Sequence, residues 1–343
     1  MRRLVRNLDF IAFPFMVFIL LLAGPKASAT SPEGIFDVLN YTEVLEIGLS
    51  FDLTSVLEKR REDKDYPATL SFLDKQGNRQ EWPLNISLRG KFRRVHCKEM
   101  PPLRLDFSKK DLEKAGLAQF DDLKLVNYCM GDDRQAREAL VKEYLSYKLY
   151  NQLTEASYRV QMVKINFKDI NTGKTRTQLG FLIEDTAQLR ARIGAEKIDS
   201  FRIIDKDRFH PYYLKTTALF QYMIGNKDWG LTYSKNVKYL SKENKVIPVP
   251  YDFDFAAIVG ASYTAPREDV SQAFMDGGVY RGFREEMEML QPVIDEFMTK
   301  RKVLIDTIRS CSLLKSSSKK EMIAFLDFFF ENTEDIKFTD NSI

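Results

Sequence analysis

The sequence predicts an α+β protein of two lobes, sheet-rich first and helix-rich second. The first hundred residues of the mature chain carry period-two patterns, and the second half carries periods near three and four. No internal repeat or long linker divides the chain. Val44 to Leu53 alternates apolar and polar residues (Val44, Leu45, Ile47, Leu49, Phe51) and reads as a strand. Ala68 to Leu73 and Trp82 to Leu88 are further strands, separated by the turn signal Lys75-Gln76-Gly77-Asn78, and Leu103 to Phe107 follows two prolines as another. From Ala136 to Leu153 the pattern turns helical, with Leu140, Tyr144, Leu145, Tyr147, Leu149 and Leu153 on its apolar face. Val160 to Phe167 and Gln178 to Ile183 form a hairpin across Asn171-Thr172-Gly173. Tyr212 to Ile224 is a helix stopped by Gly225, the residue best able to take a left-handed cap. Beyond Ala261 the chain is mostly helical, with Glu285 to Ile308 and Lys319 to Phe330 clearest. The expected division is a leader at 1–29, a sheet-rich part at 30–185 and a helical part at 186–343.

The 343 residues are 44% hydrophobic and 29% charged, which supplies a core and a soluble surface and rules out disorder, collagen and a dense disulfide scaffold. His96 and His210 are the only histidines, so a multi-histidine metal centre is excluded and a histidine-based triad would need one of those two; chemistry is expected to rest on carboxylates, lysines and arginines.

Arg2, Arg3 and Arg6 precede an apolar run from Phe10 to Ala23, followed by Ala27-Ser28-Ala29. This is the pattern of a secretory signal; the run is shorter than the roughly 20 residues a membrane-spanning helix needs, so no stable membrane insertion is expected after cleavage, with an uncleaved anchor as the alternative. Of 52 bases and 49 acids, the leader holds four and one, leaving 48 of each. That balance gives no basis for a nucleic-acid partner or a polybasic membrane surface. Export would put the chain in a secreted, periplasmic or other extracytoplasmic compartment, where Cys97 and Cys129 would close a disulfide loop worth roughly 3 kcal/mol. Two small buried residues are the alternative. Cys311 is left over.

The stretch from Ile224 to Ala257 carries the most chemistry. Asn236 to Leu240 and Val246 to Pro250 are short strands about the polar turn Ser241 to Lys245. Paired antiparallel about that turn, Asn236 faces Pro250 and Ser234 faces Asp252, so Asn236 and Asp252 meet at the open end. Pro248 and Pro250 lack N–H groups on one edge, which makes the hairpin an isolated ribbon or a sheet edge. Asp252 and Asp254 are two apart and share a face of an extended backbone, a costly arrangement unless a cation, an arginine or N–H donors compensate it. Oxygens from Asp252, Asp254 and the Asn236 amide suit Mg²⁺ or Mn²⁺, leaving Asp228 to accept a proton. A lone Asp-x-Asp is equally often an ordinary ion-paired turn.

The whole constellation resembles the spore-coat CotH kinase-like family, secreted atypical members of the protein-kinase-like fold. Gly225-Asn226-Lys227-Asp228, Asn236 and Pro248 to Ala256 are similar to the family's GN-x-D segment, its asparagine and its PIPWDFDWA-like strand. Leu88-Arg89-Gly90, Pro102 to Phe107, Lys142 to Leu149 and Leu179 to Glu184 resemble earlier pieces in family order, over roughly half the chain. The resemblance implies a two-lobed kinase-like fold with Asp228 as the catalytic-loop aspartate, Asn236 and Asp252 as metal ligands, and Asp254 as a supporting carboxylate or further ligand. It implies Mg²⁺ or Mn²⁺ with ATP as cofactors, and an exported protein as the partner phosphorylated on serine or threonine. Arg104 stands where the family has its phosphate-contacting lysine. Glu143 would pair with Arg104 or be a solvated helix residue; Lys98 and Lys91 are fallback phosphate contacts, and Glu184 joins the cofactor-binding set. No glycine-rich phosphate loop is evident. Two other functions fit the same residues: a non-catalytic interaction module of the same fold, with Ca²⁺ or no metal, and a metal-dependent Asp-x-Asp glycosyltransferase.

Overall fold

The computed structural model describes residues 33–97, 100–128, 133–198, 206–260, 280–283 and 287–336. The leader, Lys98, Cys129 and the chain just beyond Ala261 lie outside the described residues. Pro32 to Ile343 form one compact unit. In chain order the elements are α1 (Ile35–Leu39), β1 (Val44–Phe51), α2 (Leu53–Glu58), β2 (Asp65–Leu73), β3 (Arg79–Leu88), α3 (Lys91–His96), β4 (Leu103–Phe107), α4 (Lys109–Lys114), β5 (Asp122–Asn127), α5 (Asp133–Leu153), β6 (Val160–Asp169), β7 (Thr175–Ile183), α6 (Thr186–Ile193), β8 (Glu196–Lys197), α7 (Pro211–Met223), β9 (Val237–Lys242), β10 (Lys245–Pro250), α8 (Met287–Ser310) and α9 (Ser316–Glu331).

The fold is mixed α/β. Its sheet-rich half is a closed seven-stranded barrel in the order β1-β2-β3-β4-β5-β7-β6. β6 closes it by pairing parallel with β1 over the full length of β1, from Val44 opposite Met162 to Phe51 opposite Asp169; the other neighbours are antiparallel. The alternation in the sequence becomes inside and outside: Leu45, Ile47, Leu49, Leu70, Ile86, Leu105, Leu123, Leu125, Val163, Ile165 and Leu182 fill the barrel. β5 is not apparent in the sequence. Asp122 to Asn127 offers one short alternation, Leu123-Lys124-Leu125, and it is a strand because β4 and β7 would otherwise have unpaired edges.

β6 and β7 are apolar on both faces. Outside the barrel, Val160, Met162, Phe181 and Ile183 join a second core built from α5, α7, α8 and α9. α5 packs on β6 and β7 on one side and on α8 on the other. β6 and β7 are therefore the wall common to both cores, and the helix that carries Glu143 and Tyr147 packs on its outer side.

A three-stranded sheet, β10-β9-β8, completes the fold. β10 lies at its edge, as Pro248 and Pro250 require, and α7 covers it so that Val246 to Pro250 are all buried. The register differs by one residue from the expected one: Val237, not Asn236, faces Pro250. The turn is tighter than the five polar residues suggested, because Glu243 and Asn244 both take positive φ (53° and 60°), the geometry of a two-residue hairpin loop.

α7 ends as its sequence indicates, with Gly225 at φ +62°. A Cβ there would lie 2.7 Å from Ala257 Cβ and 3.0 Å from Phe325 Cζ, so both the backbone conformation and the packing demand glycine. Gly225→Ala is expected to destabilise the protein by about 2–4 kcal/mol, the sum of left-handed strain and overpacking. Urea unfolding measures this; an unchanged midpoint would mean that the two chain segments part freely at Gly225.

Candidate active site

Asp228 is held from three directions. Past Gly225, the buried Asn226 side chain donates to Gln221 Oε1 at 3.0 Å and accepts the Asp228 N–H at 2.8 Å, an Asx turn that fixes where Asp228 leaves the helix end. Asn236 Nδ2 donates to Asp228 Oδ2 at 2.8 Å and to the Asp228 carbonyl at 2.6 Å. Lys235 forms an ion pair with Asp228 Oδ1. The intervening loop is closed by reciprocal backbone bonds between Gly230 and Lys235, 3.0 Å each, and by the Tyr239 hydroxyl donating to the Leu231 carbonyl.

Asn236 also anchors the start of the Asp-x-Asp segment, since the Tyr251 N–H donates to its carbonyl at 3.0 Å. The next residue, Asp252, takes φ +64°, and its N–H donates to the Tyr147 hydroxyl at 2.8 Å. Tyr147 is buried, with its ring 4.6 Å from Phe253 and 5.7 Å from Phe181. Ser234 (φ +50°), Asn236 (φ +53°) and Asp252 are three non-glycine residues in left-handed conformations within this one segment, each costing of order 1–3 kcal/mol. Asp252 and Asp254 do not sit on an extended strand. Asp252 has positive φ and the chain turns at 253–256, where the Ala256 N–H donates to the Phe253 carbonyl at 2.9 Å, so the expected shared face is lost: Asp252 is exposed, whereas Asp254 is buried.

The two carboxylates accordingly differ in their partners. Asp254 Oδ2 accepts from Arg93 Nη2 at 2.6 Å, and the same nitrogen lies 3.5 Å from Glu143 Oε2. Asp252 has no ion pair or side-chain hydrogen bond among the described residues. Its carboxylate and the Asn236 Oδ1 are hard oxygen donors of the kind Mg²⁺ or Mn²⁺ takes, with further positions left for phosphate and water. Asp254, engaged by arginine, does not complete a three-carboxylate cage, and no cluster of three or more His, Cys, Asp or Glu suited to a metal occurs among the described residues.

The remaining expected residues divide. Glu143 is a buried residue, 2% exposed, not a solvated one, and its arginine is Arg93, not Arg104. Arg104 is held on the barrel by Asp106 (3.1 Å) and Asp122 (3.2 Å), because the β4 and β5 register puts those carboxylates beside it. Glu184 is fully buried and accepts from Arg159 N and Nε and from Arg192 Nη2 at 2.7–2.9 Å. Both its oxygens are occupied in joining the start of β6, the end of β7 and α6. Cys97 is buried; Cys311 is the free thiol among the described residues.

Three contributors escaped the sequence reading. Tyr147 lies four residues after Glu143, on the same face of α5. Arg93 lies three after Gly90. Lys124 pairs across the sheet with Arg104, has no ion pair among the described residues, and rests 5.1 Å from the Tyr158 ring and 5.5 Å from the Tyr251 ring. Burial lowers its pKa to about 8, helped by the Arg89 charge. A lysine in an otherwise apolar alternation, Leu123-Lys124-Leu125, was the available signal.

No protein-family model matches the chain, and no curated protein does. Among solved structures, the chain is similar to one in the complex of the Shewanella oneidensis MR-1 toxin–antitoxin system HipA, HipB and its operator DNA. The identity is 12% and the TM-score 0.34, over 65% of this chain and 61% of that one. At that TM-score the likeness identifies neither fold nor function.

Electrostatics marks the carboxylates as costly when ionised. Protein atoms crowd Asp252 although water reaches it; burial, reinforced by the Asp254 charge, raises its pKa against the opposing pull of Arg93 and Arg89. Burial pushes Glu143 up to about 8: Arg93 lowers it, but Asp254 and Asp252 oppose that, and Glu143 Oε1 is buried without a partner. One guanidinium is shared by two acids and its shorter contact is to Asp254, so the proton belongs on Glu143. Between the unfolded value near 4.5 and about 8, the folded protein then binds a proton that the unfolded chain has released. Its stability must fall as pH rises through that window, by up to about 1.4 kcal/mol per pH unit. Glu143→Gln should flatten that slope in urea unfolding at successive pH values; identical profiles for the two proteins would assign the proton elsewhere.

Proposed function

We propose that the chain is an exported phosphotransferase of kinase-like, two-lobed design, using ATP and a divalent metal to phosphorylate serine or threonine on another exported protein. The barrel with α5 forms the first lobe, and α7 to α9 with the three-stranded sheet form the second. One observation carries the reading: Asn236 grips Asp228 with its amide and Tyr251 with its carbonyl, so the proton acceptor and the carboxylate at Asp252 are fastened to the same residue. That juxtaposition of aspartate, asparagine and aspartate is what phosphoryl transfer requires.

Asp228 accepts the proton as the acceptor hydroxyl oxygen attacks the γ-phosphorus. The bond from that phosphorus to the bridging oxygen breaks, and ADP leaves with its electron pair. Asp252 and Asn236 would hold the metal, which when bound neutralises phosphate charge. The unpaired Lys124, close beside Tyr251, supplies positive charge on the barrel side. In the same reading the leader is removed on export and Cys97 closes onto Cys129; intact-mass measurement of the secreted protein, before and after reduction and alkylation, tests both.

A non-catalytic role draws support from a different observation. Lys235 pairs with Asp228 and Arg93 pairs with Asp254, so two of the three acids already have cations. Thermal shifts separate the readings: Mg²⁺ with ATP raises the melting temperature of an enzyme, whereas stabilisation by Ca²⁺ alone, or by neither, favours an interaction module.

Asp228→Asn and Asp252→Asn should each lower metal-dependent ³²P transfer by about a hundredfold or more. Asparagine is the informative replacement at position 252 because it tolerates the left-handed backbone while removing the charge. Undiminished transfer by both variants would end the phosphotransferase reading.

A further inference from the structure

The mature chain carries equal numbers of acids and bases, yet the rim around Asp228 does not. Lys227 and Arg281 are exposed and adjacent, with Arg281 Nη1 donating to the Lys227 carbonyl at 2.9 Å. Lys238 is exposed on β9, close enough for its charge to be felt at Lys124. Lys227, Lys238 and Arg281 form no ion pair among the described residues, and Lys235 pairs only with Asp228 itself. Among these cations stands Tyr233, 90% exposed and the most exposed of the large apolar side chains. Tyr233 is not on a loose loop. The Gly230 and Lys235 backbone bonds close the loop at its base, and buried Leu231, whose carbonyl accepts from Tyr239, anchors its near side.

We infer that this rim binds an acidic polypeptide segment, presenting a hydroxyl residue flanked by aspartate or glutamate to Asp228. Lys227, Lys235, Lys238 and Arg281 meet the carboxylates, and Tyr233 covers a neighbouring side chain. A hydroxyl that reaches Asp228 must bring its flanking residues over Lys227 and the 230–236 loop, since these are the chain neighbours of Asp228. Unpaired cations attract an acidic segment and repel a basic one, which sets partner choice and association rate. A rigid aromatic adds contact area at little entropic cost. Four cations at and near the 227–238 segment, with Tyr233 on the same loop as Lys235, are few beside the long basic stripe that tracks a nucleic-acid backbone.

This inference rests on the reading of Asp228 as the proton acceptor, and the experiment separates the two. Fluorescence anisotropy of the secreted chain is measured with a labelled peptide holding one serine among aspartates and glutamates, with its lysine counterpart, and with a single-stranded oligonucleotide. The acidic peptide should bind, more weakly as salt rises, and the lysine peptide should not. Lys227→Glu with Arg281→Glu should weaken binding about tenfold or more, and Tyr233→Ala, which leaves the charge intact, about threefold, with unchanged thermal melts for both. Equal or tighter binding of the lysine peptide or the oligonucleotide, or full affinity in both rim variants, overturns the inference. If the acidic peptide binds but no ³²P is transferred to it or to any other acceptor, the rim stands and the phosphotransferase reading falls. If transfer occurs and prefers the basic peptide, the reverse holds.

Discussion

One guanidinium, that of Arg93, holds the site together. It reaches from the short helix after Gly90 to Asp254, beyond the last strand of the three-stranded sheet, and to Glu143 on α5, the helix packed between β6, β7 and α8. Breaking such a contact would strand a buried charge at a cost of several kcal/mol. The contact is also over-subscribed, because one positive charge faces two buried acids and cannot neutralise both. Burial raises the Glu143 pKa, the Asp254 and Asp252 charges add to it against the pull of Arg93, and Glu143 Oε1 is left without a hydrogen-bond partner. The electrostatic character of this cluster therefore begins at a residue with no part in the proposed proton transfer.

Around that tie, the backbone is held in conformations it would not choose. Ser234, Asn236 and Asp252 all lie in the left-handed region, and each is fixed by a specific partner. The loop closure between Gly230 and Lys235 holds Ser234, the double bond to Asp228 holds Asn236, and the Tyr147 hydroxyl holds Asp252. Such strain persists only where surrounding contacts over-determine it. Here the result is that Asp252, which has no ion pair among the described residues, follows a residue bonded to Asn236, whose amide grips Asp228. Preorganisation of this kind lets charge be stabilised without rearrangement at the moment of reaction.

The basic rim and the acidic centre are complementary parts of one field. The charges of Arg89 and Lys238 are felt at Lys124, and those of Asp254 and Asp228 are felt at Asp252.

Much of this was legible in the sequence. Local periodicity located β1 to β4, β6, β7 and the long helices, and Gly225 announced its cap, because each depends on neighbours in the chain. The GN-x-D segment, Asn236 and Asp252 were identified as a unit, since turn residues, prolines and paired acids leave a local trace. What the sequence could not decide was pairing across distance. β5 exists because two other strands have edges to satisfy, and the hairpin slips by one residue because Glu243 and Asn244 both accept positive φ. Glu143 meets Arg93 and not Arg104 because the barrel register gives Arg104 to Asp106 and Asp122. Residue type and spacing determined which side chains could do chemistry; tertiary packing alone determined which charges would share a low-dielectric space, because the strength of a charge pair depends on separation and burial, and neither is written in the order of the chain.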